Sequence, residues 1–122
     1  MSERKKILIV EDDEVIRTLL GELLEGEGYN IQKASNGQEA MDYLKTGGDA
    51  DLILLDLMMP VKDGYAFRAE QELDESLASI PVVVMSADSL VTQKEKLIRA
   101  NAHLAKPIEL DTLFDTVKKF SH

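Results

Sequence analysis

Three apolar runs constrain this chain more than any other feature: Ile7–Val10, Leu52–Leu55 and Val82–Met85 contain no polar residue, and each ends abruptly on a hydrophilic one. A run of this kind leaves no face for water. It suits a strand covered on both sides, as in the middle of a parallel sheet. Between the runs the period changes. Val15, Ile16, Leu19, Leu20, Leu23 and Leu24 recur at helical spacing, and Gly26 and Gly28 supply a stop. Tyr29 to Ala34 alternates around Ile31 and predicts a strand nearer an edge, and Gly37 to Thr46 carries Ala40, Met41 and Leu44 on one helical face before Gly47-Gly48 ends it.

The alternation continues along the chain. Asp51 to Leu55 predicts a third strand running into Asp56, and Tyr65 to Glu75 a helix with Phe67 and Leu73 among its apolar positions. Pro81 opens the strand Val82–Met85. Leu90, Val91, Leu97 and Ile98 mark a fourth helix with a thin apolar stripe, His103 to Lys106 a brief fifth strand, and Leu110, Leu113, Phe114, Val117 and Phe120 a last amphipathic helix from about Glu109. Five strands alternating with five helices imply an α/β doubly wound parallel sheet. The flavodoxin-like order 2-1-3-4-5 puts the most apolar strands in the middle. Ligands in such sheets bind beyond the carboxyl ends of the strands, where the first and third meet.

Composition narrows what the edge can do. A net charge of −9 over 122 residues disfavours a phosphate backbone or an anionic bilayer as partner. The absence of cysteine removes disulfides and thiolate chemistry and suits the cytoplasm. Residues 1–6 are polar and the run at 7–10 is short, which points to neither an export signal nor a membrane span. One domain over residues 1–122, with no attached effector, is the expectation.

The first strand ends in Glu11-Asp12-Asp13-Glu14 and the third in Asp56, so Glu11, Asp12 and Asp56 should converge at the switch point. Crowded carboxylates raise one another's pKa unless a cation intervenes, and an oxygen-only cluster suits Mg²⁺. Asp13 and Glu14 read instead as helix-capping residues. The fourth strand ends at Ser86 followed by Ala87, and the fifth at Lys106-Pro107. A hydroxyl and an ammonium are the groups that hold the oxygens of a phosphoryl placed on Asp56.

With Glu11-Asp12, Asp56-Leu57-Met58-Met59-Pro60 followed by Asp63-Gly64, Ser86-Ala87 and Lys106-Pro107 in this order, the chain resembles the receiver domain of bacterial response regulators over essentially its whole length. The resemblance implies that Asp56 is the phosphoacceptor, and that Asp12 and Asp56 bind Mg²⁺ with the backbone carbonyl of Met58 while Glu11 assists through water. It implies contact of Lys106 with the phosphoryl group, Ser86 as the switch hydroxyl that follows it inward, and a cis Lys106–Pro107 bond. His103 stands where the family usually carries Tyr or Phe, and Ile108 where Phe is common, which bears on the switch readout. Met58 and Asp88 occupy positions that tune the lifetime of the phosphoryl group.

The implied function is a phosphorelay receiver that takes a phosphoryl group from a sensor histidine kinase or histidine phosphotransfer protein. It signals to a downstream protein or forms a phosphorylation-dependent homodimer, with no turnover of an external substrate. The moving surface is expected at the fourth helix, fifth strand and last helix, with His103 on it. Two other readings compete. A haloacid-dehalogenase-like phosphatase needs a second Asp where this chain has Met58, and a phosphorylation-independent interaction module would be expected to lack some of Glu11, Asp12, Asp56, Ser86 and Lys106, all of which are present. A flavin site is disfavoured because the acidic residues after the first strand would repel a phosphate.

Overall fold

The computed structural model describes residues 4–57, 59, 61–86 and 100–121. The chain forms β1 (Lys6–Val10), α1 (Glu14–Gly26), β2 (Asn30–Ala34), α2 (Gly37–Lys45), β3 (Leu52–Asp56), α3 (Gly64–Leu73), β4 (Val82–Ser86), β5 (Ala102–Ala105) and α4 (Leu110–Phe120). All strands run parallel in one five-stranded sheet of order β2-β1-β3-β4-β5. Four helices stand among the described residues against the five expected. The expected helix carrying Leu90, Val91, Leu97 and Ile98 lies outside them.

The apolar runs occupy the middle of the sheet for the reason their composition suggests. Successive side chains point to opposite faces, so each uninterrupted run feeds two layers at once. Leu8, Val10, Ile53, Leu55 and Val84 pack on one face with Ala40, Met41 and Leu44 of α2 and Phe67 of α3. Ile7, Ile9, Leu54, Val83 and Met85 pack on the other with Leu20 and Leu24 of α1 and Leu113 and Val117 of α4. Each fully buried Leu or Ile contributes about 1.5–3 kcal/mol of transfer free energy. The less apolar β2 and β5 are the edges, as their partial exposure shows.

Local chemistry sets the element ends. Asp13 caps α1, its carboxylate accepting from the N–H groups of Val15 and Ile16 at 2.9 and 3.1 Å. Asn36 caps α2 and Asp63 caps α3 through the N–H groups of Glu39 and Ala66, both at 2.9 Å. Past α1 and α2 the chain turns through left-handed Gly28 and Gly47, at φ 96° and 101°. Among the described residues no helix is long and apolar enough to cross a membrane.

Candidate functional site

Parallel pairing of Val10 with Leu55 brings Glu11 and Asp56, the next residue on each strand, out together at the carboxyl edge. Asp12 follows Glu11 on the surface. Carboxylate oxygens of Glu11, Asp12 and Asp56 lie within 4.8 Å of one another, which is the convergence the strand ends predicted. Glu11 is fully buried, Asp56 nearly so, and Asp12 exposed.

Lys106 answers this concentration of charge. Its Nζ stands 2.5 Å from Glu11 Oε1 and 3.4 Å from Asp56 Oδ2. Burial pushes the Glu11 carboxyl above its ordinary value, the neighbouring Asp56 adds to the shift, and the Lys106 ammonium opposes it. Burial alone would depress the ammonium of Lys106, but its hydrogen bond to Glu11 and the charges of Asp56 and Glu11 outweigh that and leave it raised. Among the described residues, three carboxylates against one ammonium leave an excess of two negative charges. An oxygen-only donor set with that excess, partly open through Asp12, fits a hard divalent cation such as Mg²⁺.

The remaining residues take their places around this centre. Ser86 is buried at the end of β4, and its carbonyl accepts from the N–H of Lys106 at 2.9 Å, which ties the hydroxyl strand to the lysine. The Lys106–Pro107 peptide is cis. Ile108 is half-buried and packs against the core layer beneath α1 and α4. His103 lies exposed on edge strand β5, paired in register with Val84. Met58, Ala87 and Asp88 lie outside the described residues.

Arg17 is a site residue that the strand-end pattern does not mark. Its guanidinium donates to the carbonyl oxygens of Glu11 at 2.8 Å and Asp12 at 3.3 Å, and so grips the main chain that carries both carboxylates. The only trace in the sequence is a basic residue one turn into a helix that follows an acidic run. Beyond Lys106 and Pro107 an apolar groove of about 230 Å³ runs between Leu19 and Leu23 of α1 and Leu110 of α4.

Comparison with known proteins bears on this geometry. The family described as "Response regulator receiver domain" matches residues 7–118. "Sporulation initiation phosphotransferase F" of Bacillus subtilis (strain 168) is 39% identical over 119 residues, covering 95% of this chain and 93% of that protein. "Polar-differentiation response regulator DivK" of Brucella anthropi is 31% identical over 118 residues, covering 95% of each. Among solved structures, the response regulator TrrA of Thermotoga maritima, described as in complex with Mg(2+)-BeF, superposes with a TM-score of 0.85 at 33% identity, covering 95% of this chain and 98% of that one.

Proposed function

The chain belongs to the response-regulator receiver family, and on that premise we propose that Asp56 accepts a phosphoryl group from a phosphohistidine on a sensor kinase or histidine phosphotransfer protein. The function is that of a phosphorelay signal receiver. What carries the assignment of Asp56 is its position: a nearly buried carboxylate at the meeting of β1 and β3, with Lys106 Nζ 3.4 Å away and two further acids beside it.

In the transfer, an oxygen of the Asp56 carboxylate attacks phosphorus. The phosphorus–nitrogen bond to the donor imidazole breaks, and the departing imidazole keeps the electron pair and takes a proton. Asp12, Asp56, the Met58 carbonyl and, through water, Glu11 would hold Mg²⁺, which when bound supplies positive charge beside the phosphoryl oxygens. Lys106 neutralises an oxygen from the other side, and the Ser86 hydroxyl donates to another. Water later hydrolyses the acyl phosphate. Residues 1–122 then act as one receiver unit in the cytoplasm, modifying themselves without turning over a substrate.

Output follows from the same groups. Ser86 and Lys106 contact the phosphoryl group only when it is present, so they can bias an equilibrium of conformations. The reading puts the altered surface on the expected fourth helix, which lies outside the described residues, on β5 and on α4, with exposed His103 on it as switch residue or contact toward a downstream protein or a second copy. The carrying experiment is labelling with a small acyl or carbamoyl phosphodonor in the presence of Mg²⁺. Wild-type protein is expected to label and Asp56→Asn to stay blank. Equal labelling of both would remove Asp56 from its role. A wild type that never labels would leave the phosphorylation-independent module as the better reading.

A further inference from the structure

Glu11 and Asp56 are neighbours across the sheet, yet a second set of contacts joins them outside it. The Glu11 N–H donates to the carbonyl of Ala34, the last residue of β2, at 3.1 Å. The chain then turns through Ser35 and Asn36 into α2, where the Gly37 N–H donates to the carbonyl of Lys62 at 2.9 Å. Lys62 leads through Asp63 to Gly64, whose N–H donates to the carbonyl of Leu57 at 3.1 Å. Gly64 also lies against the carbonyl of Asp56, so closely that a Cβ there would stand 2.6 Å from the oxygen. Glu11 and Asp56 are thus the two ends of one path through 34–37 and 62–64.

The path is tight because two of its members lack side chains. A Cβ on Gly37 would stand 2.5 Å from the Lys62 carbonyl oxygen and 2.9 Å from Lys62 Cγ. Neither Gly37 nor Gly64 has a positive φ, so what these positions require is space and not a left-handed backbone. Lys62 cannot retreat freely from the contact. Its ammonium is paired with Glu70, which also holds Lys45 of α2 at 2.6 Å. Val61, next to it, sits at φ 67°, a conformation a β-branched residue keeps only where its surroundings impose it.

We propose that the β2–α2 turn is a strut that sets the position of Glu11 relative to Asp56, and that Gly37 is its positioning residue. The proposal rests on the receiver reading for the identity of the ion, Mg²⁺, and on the contacts above for the rest. Two buried carboxylates repel each other. A connection that holds them at a set separation lets a cation enter without rearranging the main chain. Residues that hold ligands in place from outside commonly alter metal affinity by roughly 10–100-fold when changed.

The test uses the full chain and MgCl₂ as the probe, with amide resonances followed by NMR. Gly37→Ala is expected to weaken Mg²⁺ binding about tenfold. The control is Thr46→Ala, which removes the 2.7 Å bond from the Thr46 hydroxyl to the Asp42 carbonyl at the far end of the same helix and leaves the Lys62 contact alone. It should lower the unfolding midpoint while keeping Mg²⁺ affinity within about twofold of wild type. A second measurement needs no variant. Saturating Mg²⁺ should slow deuterium exchange at the Gly37 N–H, and leave unchanged that of the Thr46 N–H, which bonds to Asp42 at the far end of α2. Gly37→Ala binding Mg²⁺ as wild type does, or Thr46→Ala weakening it equally, overturns the strut, as does unchanged exchange at Gly37. Wild-type protein that takes up no Mg²⁺ overturns the metal assignment of the receiver reading and the strut with it.

Discussion

Replacing Lys106 by Met keeps most of the aliphatic stem and removes the one cation that the described residues place against Glu11 and Asp56. Breaking a buried ion pair by deleting one partner costs about 3–5 kcal/mol, because the other charge stays buried without compensation. The Glu11 side chain is 1% exposed and that of Lys106 17%, so part of the ammonium already reaches water and the lower end of the range applies, about 3 kcal/mol. For a domain of this size that is a fall of roughly 10 °C in unfolding midpoint. Urea unfolding at neutral pH in a chelating buffer measures it directly. Mg²⁺ should then restore much of the loss, since a divalent ion bound to the native state stabilises it by about 2.7 kcal/mol at a hundred times its dissociation constant. The variant has more unneutralised charge than the wild type and should bind the ion more tightly, so at a fixed Mg²⁺ concentration it should gain more and the gap should narrow. A gap under about 1 kcal/mol in chelator would refute the view that Lys106 compensates these carboxylates. A gap unchanged by saturating Mg²⁺ would refute the view that ammonium and metal ion answer the same charge.

Three further outcomes are expected. Asp13→Ala removes two hydrogen bonds at the start of α1 and should cost about 1 kcal/mol in chemical unfolding, whereas an unchanged midpoint would deny the cap. Val61→Asn should raise stability by about 1 kcal/mol, because asparagine tolerates the left-handed φ of 67° that strains valine at this exposed position; a fall would show that valine makes a compensating contact. The hydrogen bonds from Lys45 and Lys62 hold the Glu70 carboxyl below its ordinary value, so its contribution is present above that value and lost as pH falls through the lower folded one. The stability difference between wild type and Glu70→Gln should therefore be level near neutrality and fade in acid below the usual carboxylate range, and a difference that grew in acid would reverse the sign.

Much of this protein is legible in its sequence. The period of two or of 3.6 in the apolar residues is a local property, and it located the five strands and four helices of the described residues within a residue or two. Asp13 shows how local the information can be, since a carboxylate just before an apolar helical stripe finds its N–H partners within the next turn. The greater exposure of β2 and β5 relative to β1, β3 and β4 was readable in the same way, and with it the sheet order. Parallel strands separated by helices all end at one edge. The polar residues that terminate Ile7–Val10, Leu52–Leu55 and Val82–Met85 therefore had to meet there.

What only the tertiary structure decided are the partnerships across that edge. Nothing in the spacing of Lys106 says that it sits 2.5 Å from Glu11 and 3.4 Å from Asp56, because that choice depends on where β5 ends relative to β1 and β3 after the sheet has twisted and packed. The grip of Arg17 on the Glu11 and Asp12 carbonyls depends on the side-chain reach of one turn of α1, and the outward exposure of His103 on which face of an edge strand it occupies. Gly37 reads in the sequence as an ordinary helix start, and only the approach of Lys62 shows why a side chain has no room there. Backbone periodicity and capping are set by neighbours along the chain, whereas charge pairing and close approach are set by neighbours in space, which the chain acquires only when the core layers on both faces of the sheet have closed.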